Sequence, residues 1–212
     1  QSVVGSGAWG MLALDEATGT VFLPTDTGNP DYVGIWRPGD NAGANSTLAL
    51  DAETGKIKWR FQNIHHDIFD LDTNAAPSPV EITKGGKKLK VVVQVTKQAM
   101  LWILDAVTGK PIHPYEERSV AQSTIPGEKT SPTQPFTILP PPLIPATVRR
   151  NNLATLSPQA HEECIALWNE RKLSDVGPFS PPAKDGAWGL MSIGAIGGTD
   201  WGGASIDKER GV

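Results

Sequence analysis

The sequence is short of cysteine, of excess positive charge and of long apolar runs, and each shortage excludes a class of protein. Cys164 is the single cysteine among 212 residues, which excludes an internal disulfide framework and a cysteine-based zinc site. Lysine and arginine total 19 against 23 aspartates and glutamates, a formal charge of −4. Without a basic excess to neutralise phosphates, no nucleic-acid partner is expected. No apolar run approaches the roughly 20 residues that span a bilayer.

Glycine and proline are abundant by contrast. The chain has 22 glycines and 18 prolines, with 39% hydrophobic and 20% charged residues. This composition favours a folded chain of one domain, or at most two small ones, with many turns rather than long helices.

One local pattern recurs: an apolar, strand-favouring run, then Asp, three residues, and Gly. The copies are 11–19, 48–55, 101–109 and 204–211. In each, Asp can accept backbone N–H bonds at the head of a tight turn, and Gly supplies a positive φ near its exit. Repeated hairpins of this kind with uneven spacing predict the blades of a β-propeller.

Three further segments have distinct predictions. Residues 90–95 form an apolar run typical of a buried strand. The prolines within 116–148 exclude a central strand there, and we interpret that segment as an ordered loop wrapping the domain. Residues 158–173 predict an amphipathic helix on the outside of the β structure, with Ser157 as N-cap and Pro158 in the first turn.

The densest polar cluster, residues 65–72, contains two adjacent histidines and three aspartates. In an extended segment Asp70 and Asp72 share one face and Asp67 takes the other. A carboxylate here could act as a general base or a metal ligand, and a solvated loop with turn-capping aspartates is an equally open interpretation. Neighbouring histidines on a strand point apart, so zinc is not expected.

Three other places each allow a functional and a structural interpretation. The oxygen-rich segment 25–31 suits a hard cation or forms a simple Gly-Asn-Pro turn. Lys97 follows a predicted strand, where it belongs either to a site or to the surface. Trp201 lies among glycines in 197–203 and either meets a flat ligand or packs between blades.

Residues 49–59, Ala-Leu-Asp-Ala-Glu-Thr-Gly-Lys-Ile-Lys-Trp, resemble the tryptophan-docking motif of quinoprotein dehydrogenase propellers. The following segment, 59–72, resembles the His-His-Asp-Leu-Trp-Asp-x-Asp stretch of PQQ-dependent glucose dehydrogenases of the membrane-bound type, with Phe69 in place of Trp. Collinear matches extend the resemblance over nearly the whole chain; they lie at 96–109, 131–136, 177–182 and 201–207.

The resemblance implies an all-β fold built as an eight-bladed propeller. The chain has about half the length such a ring needs, so we expect residues 1–212 to form a partial β-propeller of about half the ring. A long Pro-rich loop and one short helix would form an excursion at about 116–190. Open strand edges would favour edge-to-edge self-association, and a piece of this size alone is not expected to hold the cofactor in a working site.

The resemblance also implies PQQ above a calcium or magnesium ion (Ca²⁺ or Mg²⁺), with roles for particular residues. Asp70 matches the catalytic base, Lys97 a cation bonded to the quinone oxygens, and Asn29 a metal-ligand or metal-side position. Asp200 matches a polar contact and Trp201 a contact with the cofactor edge.

A sugar or alcohol would be the substrate, and ubiquinone or a cytochrome the electron acceptor. The location would be periplasmic, with an inner-membrane anchor outside this chain. The alternative is a non-catalytic PQQ-repeat scaffold, but a scaffold has no reason to keep Asp70, Lys97 and Asn29 together.

Overall fold

A computed structural model describes residues 5–145, 147–182, 189–194, 196–207 and 210. Nine strands, one α-helix and a short 3-10 turn at Arg150–Asn152 make up its regular structure. The strands are β1 (Ala13–Asp15), β2 (Thr20–Pro24), β3 (Ser46–Asp51), β4 (Ile57–Gln62), β5 (Ser78–Lys84), β6 (Lys87–Val95), β7 (Leu101–Asp105), β8 (Tyr115–Ser119) and β9 (Thr133–Thr137); the helix is α1 (Pro158–Glu170).

The strands form three antiparallel sheets that follow the chain order. Strands β1 to β4 make a four-stranded meander, β5 to β7 a three-stranded sheet and β8 with β9 a two-stranded one. The sheets of the described residues do not close into a ring. The prediction of an all-β, partial propeller is confirmed.

The Asp-x-x-x-Gly turns have the chemistry that their pattern predicts. Asp51 Oδ1 accepts from the backbone N–H of Thr54 at 2.9 Å and from its hydroxyl at 2.7 Å. These bonds favour the ionised carboxylate and hold the pKa of Asp51 below its usual value. Gly55 and Gly109 close two of the turns at φ +67° and +70°. The turns end the hairpins and set their register.

The last copy of the pattern differs from the other three. Residues 204–207 are not in a strand, and Lys208, Glu209 and Gly211 lie outside the described residues. Ala204 and Ile206 nevertheless pack against the apolar face of the β5–β7 sheet. The segment therefore covers a neighbouring sheet without pairing with it.

Trp59, in β4, joins the first two sheets. Its side chain is 8% exposed, and its Nε1 donates to the backbone oxygen of Ala106 at 3.0 Å. A Cβ on Gly109 would come within 2.5 Å of the indole ring, so only glycine allows this contact. Ala106 and Gly109 belong to the turn after β7, and Trp59 is therefore buried between blades, as its motif predicts.

A single apolar cluster links the first two sheets with the β8–β9 hairpin. It takes Phe22 and Trp59 from the first sheet, Val92 and Trp102 from the second, and Phe136 from β9. Ile64, Ile68, Phe69 and Leu71 also belong to it. Residues 65–72, called the acidic segment below, are thus anchored in the core by their apolar side chains.

The prediction that 116–148 is all loop is wrong in one respect. Two strands, β8 and β9, form a hairpin whose second strand contains Pro135. Both strands of a two-stranded sheet are edges, where a residue without an N–H is tolerated. The prolines exclude a central strand, as expected, but they do not exclude this one.

Helix α1 begins as its sequence predicts. Ser157 Oγ accepts from the N–H of Ala160 at 3.1 Å, and Pro158 occupies the first turn. Of the helix's apolar residues only Trp168 is buried, whereas Leu167 is half-exposed. The helix is therefore a lightly packed part of the excursion.

We predict that Trp59→Ala destabilises the protein by about 3–5 kcal/mol, because it removes a buried aromatic ring and leaves a cavity between two sheets. Urea unfolding would measure the loss. Ile57→Thr, on the exposed face of the same strand, is the control and should stay within about 0.5 kcal/mol. Equal losses in the two variants would contradict the docking role of Trp59.

Candidate active site

Sheet topology places the polar segments at the same end of the strands. Neighbouring strands run antiparallel, so the Asp-x-x-x-Gly turns lie at one end of the sheets. At the opposite end, strands β2, β4 and β6 finish and strands β3 and β7 begin. Segments 25–31, 63–74 and 96–100 therefore emerge together. Contacts between them form the candidate active site.

Lys97 lies at the centre of these contacts. Its side chain is 7% exposed, and its Nζ donates to Asp72 Oδ2 at 3.0 Å and to the backbone oxygen of Asp70 at 2.9 Å. A buried ammonium is tolerated only with such partners. The interpretation of Lys97 as a surface lysine is therefore wrong, and the lysine joins the second sheet to the acidic segment.

Asp72 is the ionic partner of Lys97 and is itself buried. Its carboxylate also accepts from the N–H of Thr27 at 2.8 Å and from Trp9 Nε1 at 3.3 Å. The Lys97 Nζ lies 6.0 Å from the centroid of the Trp9 ring. Half-exposed Trp9 thus covers the ion pair from one side.

Asp70 is only partly buried, and its side chain points to a different neighbour. The hydroxyl of Tyr32 donates to Asp70 Oδ2 at 3.0 Å. Burial raises the pKa of Asp70, while the positive charge of Lys97 and the Tyr32 hydrogen bond oppose the rise. Burial, together with Asp70, raises the pKa of Tyr32 to about 12, so the phenol stays protonated and donates at neutral pH.

The acidic segment is turned rather than extended, which corrects the geometry that the sequence suggests. His66 and Asp70 adopt left-handed backbone conformations, with φ of +45° and +58°. Asp67 is fully buried within the turn, and Asp72 is held by Lys97. Asp70 is the one carboxylate of the three that remains accessible.

The two histidines bind different partners. His65 Nε2 lies 3.1 Å from a carboxylate oxygen of Glu117, and His66 Nε2 lies 3.0 Å from one of Glu128. His66 Nδ1 also lies 2.6 Å from the backbone oxygen of Gly39. Among the described residues, no group of three His, Cys, Asp or Glu side chains is placed to hold a metal ion. The histidines instead attach the excursion to the acidic segment.

The strip 197–203 runs along the turn that carries Lys97. Gly198 N donates to the Lys97 oxygen at 2.8 Å, and Thr199 Oγ1 donates to the Thr96 oxygen at 2.5 Å. A Cβ on Gly197 would lie 2.6 Å from the Lys97 Cβ, so the close approach requires glycine there.

Asp200 and Trp201 follow at the end of this contact. Asp200 Oδ1 accepts from Asn74 Nδ2 and from the N–H of Trp201. The Trp201 side chain is 64% exposed, which contradicts a close-packed tryptophan between blades. Its indole is open to a ligand.

Asn29 is the predicted site residue that the structure does not join to the others. It is exposed, and its backbone N–H bonds the oxygen of Gly5 at 2.9 Å. Within the described residues its side chain makes no hydrogen bond to Asp70 or Lys97. The hydroxyls of Thr25 and Thr27 are used within the protein, by Gly43 and Asp67, as expected of a structural turn.

Sequence patterns do not predict a site role for Trp9 or Tyr32. Tyr32 is 38 residues from Asp70 and Trp9 is 63 residues from Asp72, and no motif marks either aromatic. Asp72 did carry a signal, because it stands in the acidic cluster. Its pairing with Lys97 depends on the packing of two sheets.

Comparison with known proteins identifies the family of this chain. The PQQ family profile described as glucose/ethanol/alcohol dehydrogenase, beta-propeller domain, matches residues 1–212. The glycerol dehydrogenase large subunit of Gluconobacter oxydans is 32% identical over 97% of this chain and 28% of its own length. The quinoprotein glucose dehydrogenase of Escherichia coli is 33% identical over 97% of this chain and 25% of its own length.

A solved structure supports the same fold. A europium-containing methanol dehydrogenase superposes with a TM-score of 0.57 over 96% of this chain and 28% of that protein, at 16% identity. The present chain spans about a quarter of the length of the curated relatives it matches. The match over its full length, together with the propeller sheets, shows that the chain belongs to the PQQ-dependent glucose/ethanol/alcohol dehydrogenase β-propeller family.

Proposed function

We propose that this chain supplies the catalytic base and part of the cofactor-binding surface of a PQQ-dependent dehydrogenase that oxidises a hydroxyl group of a sugar or alcohol. The observation that carries the proposal is that Asp70, whose carboxylate is accessible, is held through its backbone oxygen by the buried ammonium of Lys97. A non-catalytic scaffold would not require a buried charge at the end of the sheets where an accessible carboxylate lies.

Asp70 is the residue that removes the proton of the substrate hydroxyl. A general base must be accessible and ionised, and Asp70 is the carboxylate of its cluster that meets the first condition. Tyr32 holds one carboxylate oxygen at 3.0 Å. Oδ1 has no hydrogen-bond partner among the described residues and is free to accept the substrate proton.

The surface beside Asp70 suits a planar quinone. The Lys97 ammonium has three donors, and Asp70 and Asp72 take two of them, which leaves one for a quinone oxygen. Trp201 offers an open indole face, and Asn74 Oδ1 is buried without a partner among the described residues. When bound there, PQQ supplies hydride-accepting chemistry.

The metal beside the cofactor would be calcium or magnesium. Such hard cations prefer oxygen ligands, and the amide oxygen of exposed Asn29 is available for this purpose. Among the described residues, no three His, Cys, Asp or Glu side chains are grouped to hold a metal ion. Asn29 would therefore supply one of several ligands. Asp200, bonded to Asn74, would make a polar contact at the cofactor edge.

Two relatives that match this chain are named glycerol dehydrogenase and glucose dehydrogenase, and they favour a sugar or polyol substrate. Electrons would pass to ubiquinone or a cytochrome, and the protein would act in the periplasm, anchored to the inner membrane. None of the helices in the described ranges is long and apolar enough to cross a bilayer.

We predict that Asp70→Asn in the full-length protein lowers kcat by at least ~10²-fold, because the amide cannot take a proton from the substrate. PQQ binding should be nearly unchanged. Dye-linked oxidation assays and a PQQ titration would measure the two effects. Asp40→Asn, which removes an exposed carboxylate from the loop between β2 and β3, is the control and should retain turnover. Normal turnover of the Asp70 variant would refute the assignment.

We predict that Tyr32→Phe moves the acid limb of the pH profile of kcat/KM to higher pH. The Tyr32 hydrogen bond favours ionised Asp70, so its loss raises the pKa of a carboxylate that is active only when ionised. Tyr115→Phe, at a tyrosine packed on Trp102, is the control and should leave the limb in place. A limb shifted to lower pH would contradict the role of Tyr32.

A further inference from the structure

We infer that Asp67 is a positioning residue that holds Asp70 in its left-handed conformation. The effect on catalysis rests on the proposed function of Asp70, whereas the effect on the conformation of the turn does not. The sequence predicts only that Asp67 lies on the face opposite Asp70 and Asp72, and it assigns no positioning role to this residue.

The Asp67 carboxylate binds the backbone on both sides of Asp70. Oδ1 accepts from the N–H of Phe69 at 2.8 Å, and Oδ2 accepts from the N–H of Leu71 at 2.9 Å. One rigid group thereby fixes the Ile68–Phe69 peptide group before Asp70 and the Asp70–Leu71 peptide group after it. A non-glycine residue at φ +58° is strained, and such a conformation persists only when its surroundings hold it.

The same carboxylate is anchored to the ends of two strands of the first sheet. Oδ2 also accepts from Thr27 Oγ1 at 2.5 Å and from Asn45 Nδ2 at 2.8 Å. Thr27 follows β2 and Asn45 precedes β3. Asn45 Nδ2 additionally donates to the oxygen of Leu71 at 3.1 Å, so the turn is tied to the sheet at two points.

Arg37 secures the backbone of Asp67 itself. Its buried guanidinium donates to the Asp67 oxygen, to the Pro30 oxygen at 3.2 Å and to Asn41 Oδ1 at 2.6 Å. These bonds place a positive charge near the buried carboxylate and lock the loop between β2 and β3 against it. That loop carries Tyr32. Arg37 therefore anchors both Tyr32 and Asp67, the two residues that set the geometry of Asp70.

Asp67 cannot be the base. It is 1% exposed, and each of its oxygens already accepts hydrogen bonds from the protein. A group with no access to substrate acts on the reaction only through its neighbours. Its distinguishing effect is therefore the position of the Asp70 carboxylate.

The test is Asp67→Asn in the full-length holoenzyme. An amide has one oxygen, so whichever way it is turned its NH₂ group faces the N–H of Phe69 or of Leu71, and at least one backbone bond is lost. Thr73→Val is the matched control. It is buried, nearly isosteric and close in sequence, and it removes one hydrogen bond, with Asn63, without touching the turn.

Two readouts are compared in these variants. Hydrogen–deuterium exchange of a peptide covering 64–73 reports the turn, and steady-state oxidation reports kcat and KM separately. Asp67→Asn should speed exchange within 67–71 and lower kcat roughly 10- to 100-fold with little change in KM, since a misplaced base slows the chemical step. Thr73→Val should leave exchange within 67–71 and kcat near those of the parent.

A double variant separates positioning from general damage. If Asp67 acts through Asp70, then Asp67→Asn combined with Asp70→Asn should be no slower than Asp70→Asn alone, because the second change removes the group that the first one misplaces. Additive losses would overturn the inference, as would unchanged exchange within 67–71.

The milder Thr27→Val keeps both backbone bonds and covers the case in which Asp67→Asn does not fold. It should speed exchange less than the loss of a backbone bond would. Unchanged exchange in this variant would also count against the anchor.

The inference and the proposed function fail in different ways. If Asp70→Asn leaves turnover unchanged, the catalytic assignment of Asp70 is wrong. Faster exchange within 67–71 in Asp67→Asn would still show that Asp67 holds the turn.

Discussion

The buried ammonium of Lys97 is the constraint on which the site depends. A charge removed from water is stable only when oxygen atoms replace its hydration, and here those atoms belong to the segment that follows β4. The second sheet and the acidic segment are thereby held at one relative position. The glycine strip at 197–198 lies against the same turn, so a third part of the chain depends on the placement of this lysine.

The acidic segment divides its work among three carboxylates by their surroundings. Asp67 is surrounded by hydrogen-bond donors within the protein, Asp72 by a cation, and Asp70 by a phenol and solvent. Residues of one chemical type thus have three different electrostatic environments within six positions. The apolar residues between them, including Ile68 and Leu71, fix this division because they are buried in the core.

Local chemistry made much of the fold predictable. The Asp and Gly of the first three turns, the buried strand at 90–95 and the N-cap of α1 follow from short patterns, and the structure contains each of them. The docking of Trp59 follows from the family resemblance. The β8–β9 hairpin was missed because the prolines exclude only a central strand. The contacts Tyr32–Asp70 and His66–Glu128 join residues 38 and 62 positions apart. Contacts of that range depend on how sheets pack, which no local pattern records.

The two ends of the sheets have separate roles, and this separation affects which sequence changes the protein tolerates. The Asp-x-x-x-Gly turns are solvent-exposed at their tips, for example at Glu53 and Val107. They lie at the end of the sheets away from the acidic segment. Insertions at exposed turn tips are tolerated more readily than changes in buried backbone. The turns at one end of the sheets can therefore vary in sequence and length, or accept an engineered fusion. The geometry around Asp70 at the other end is preserved.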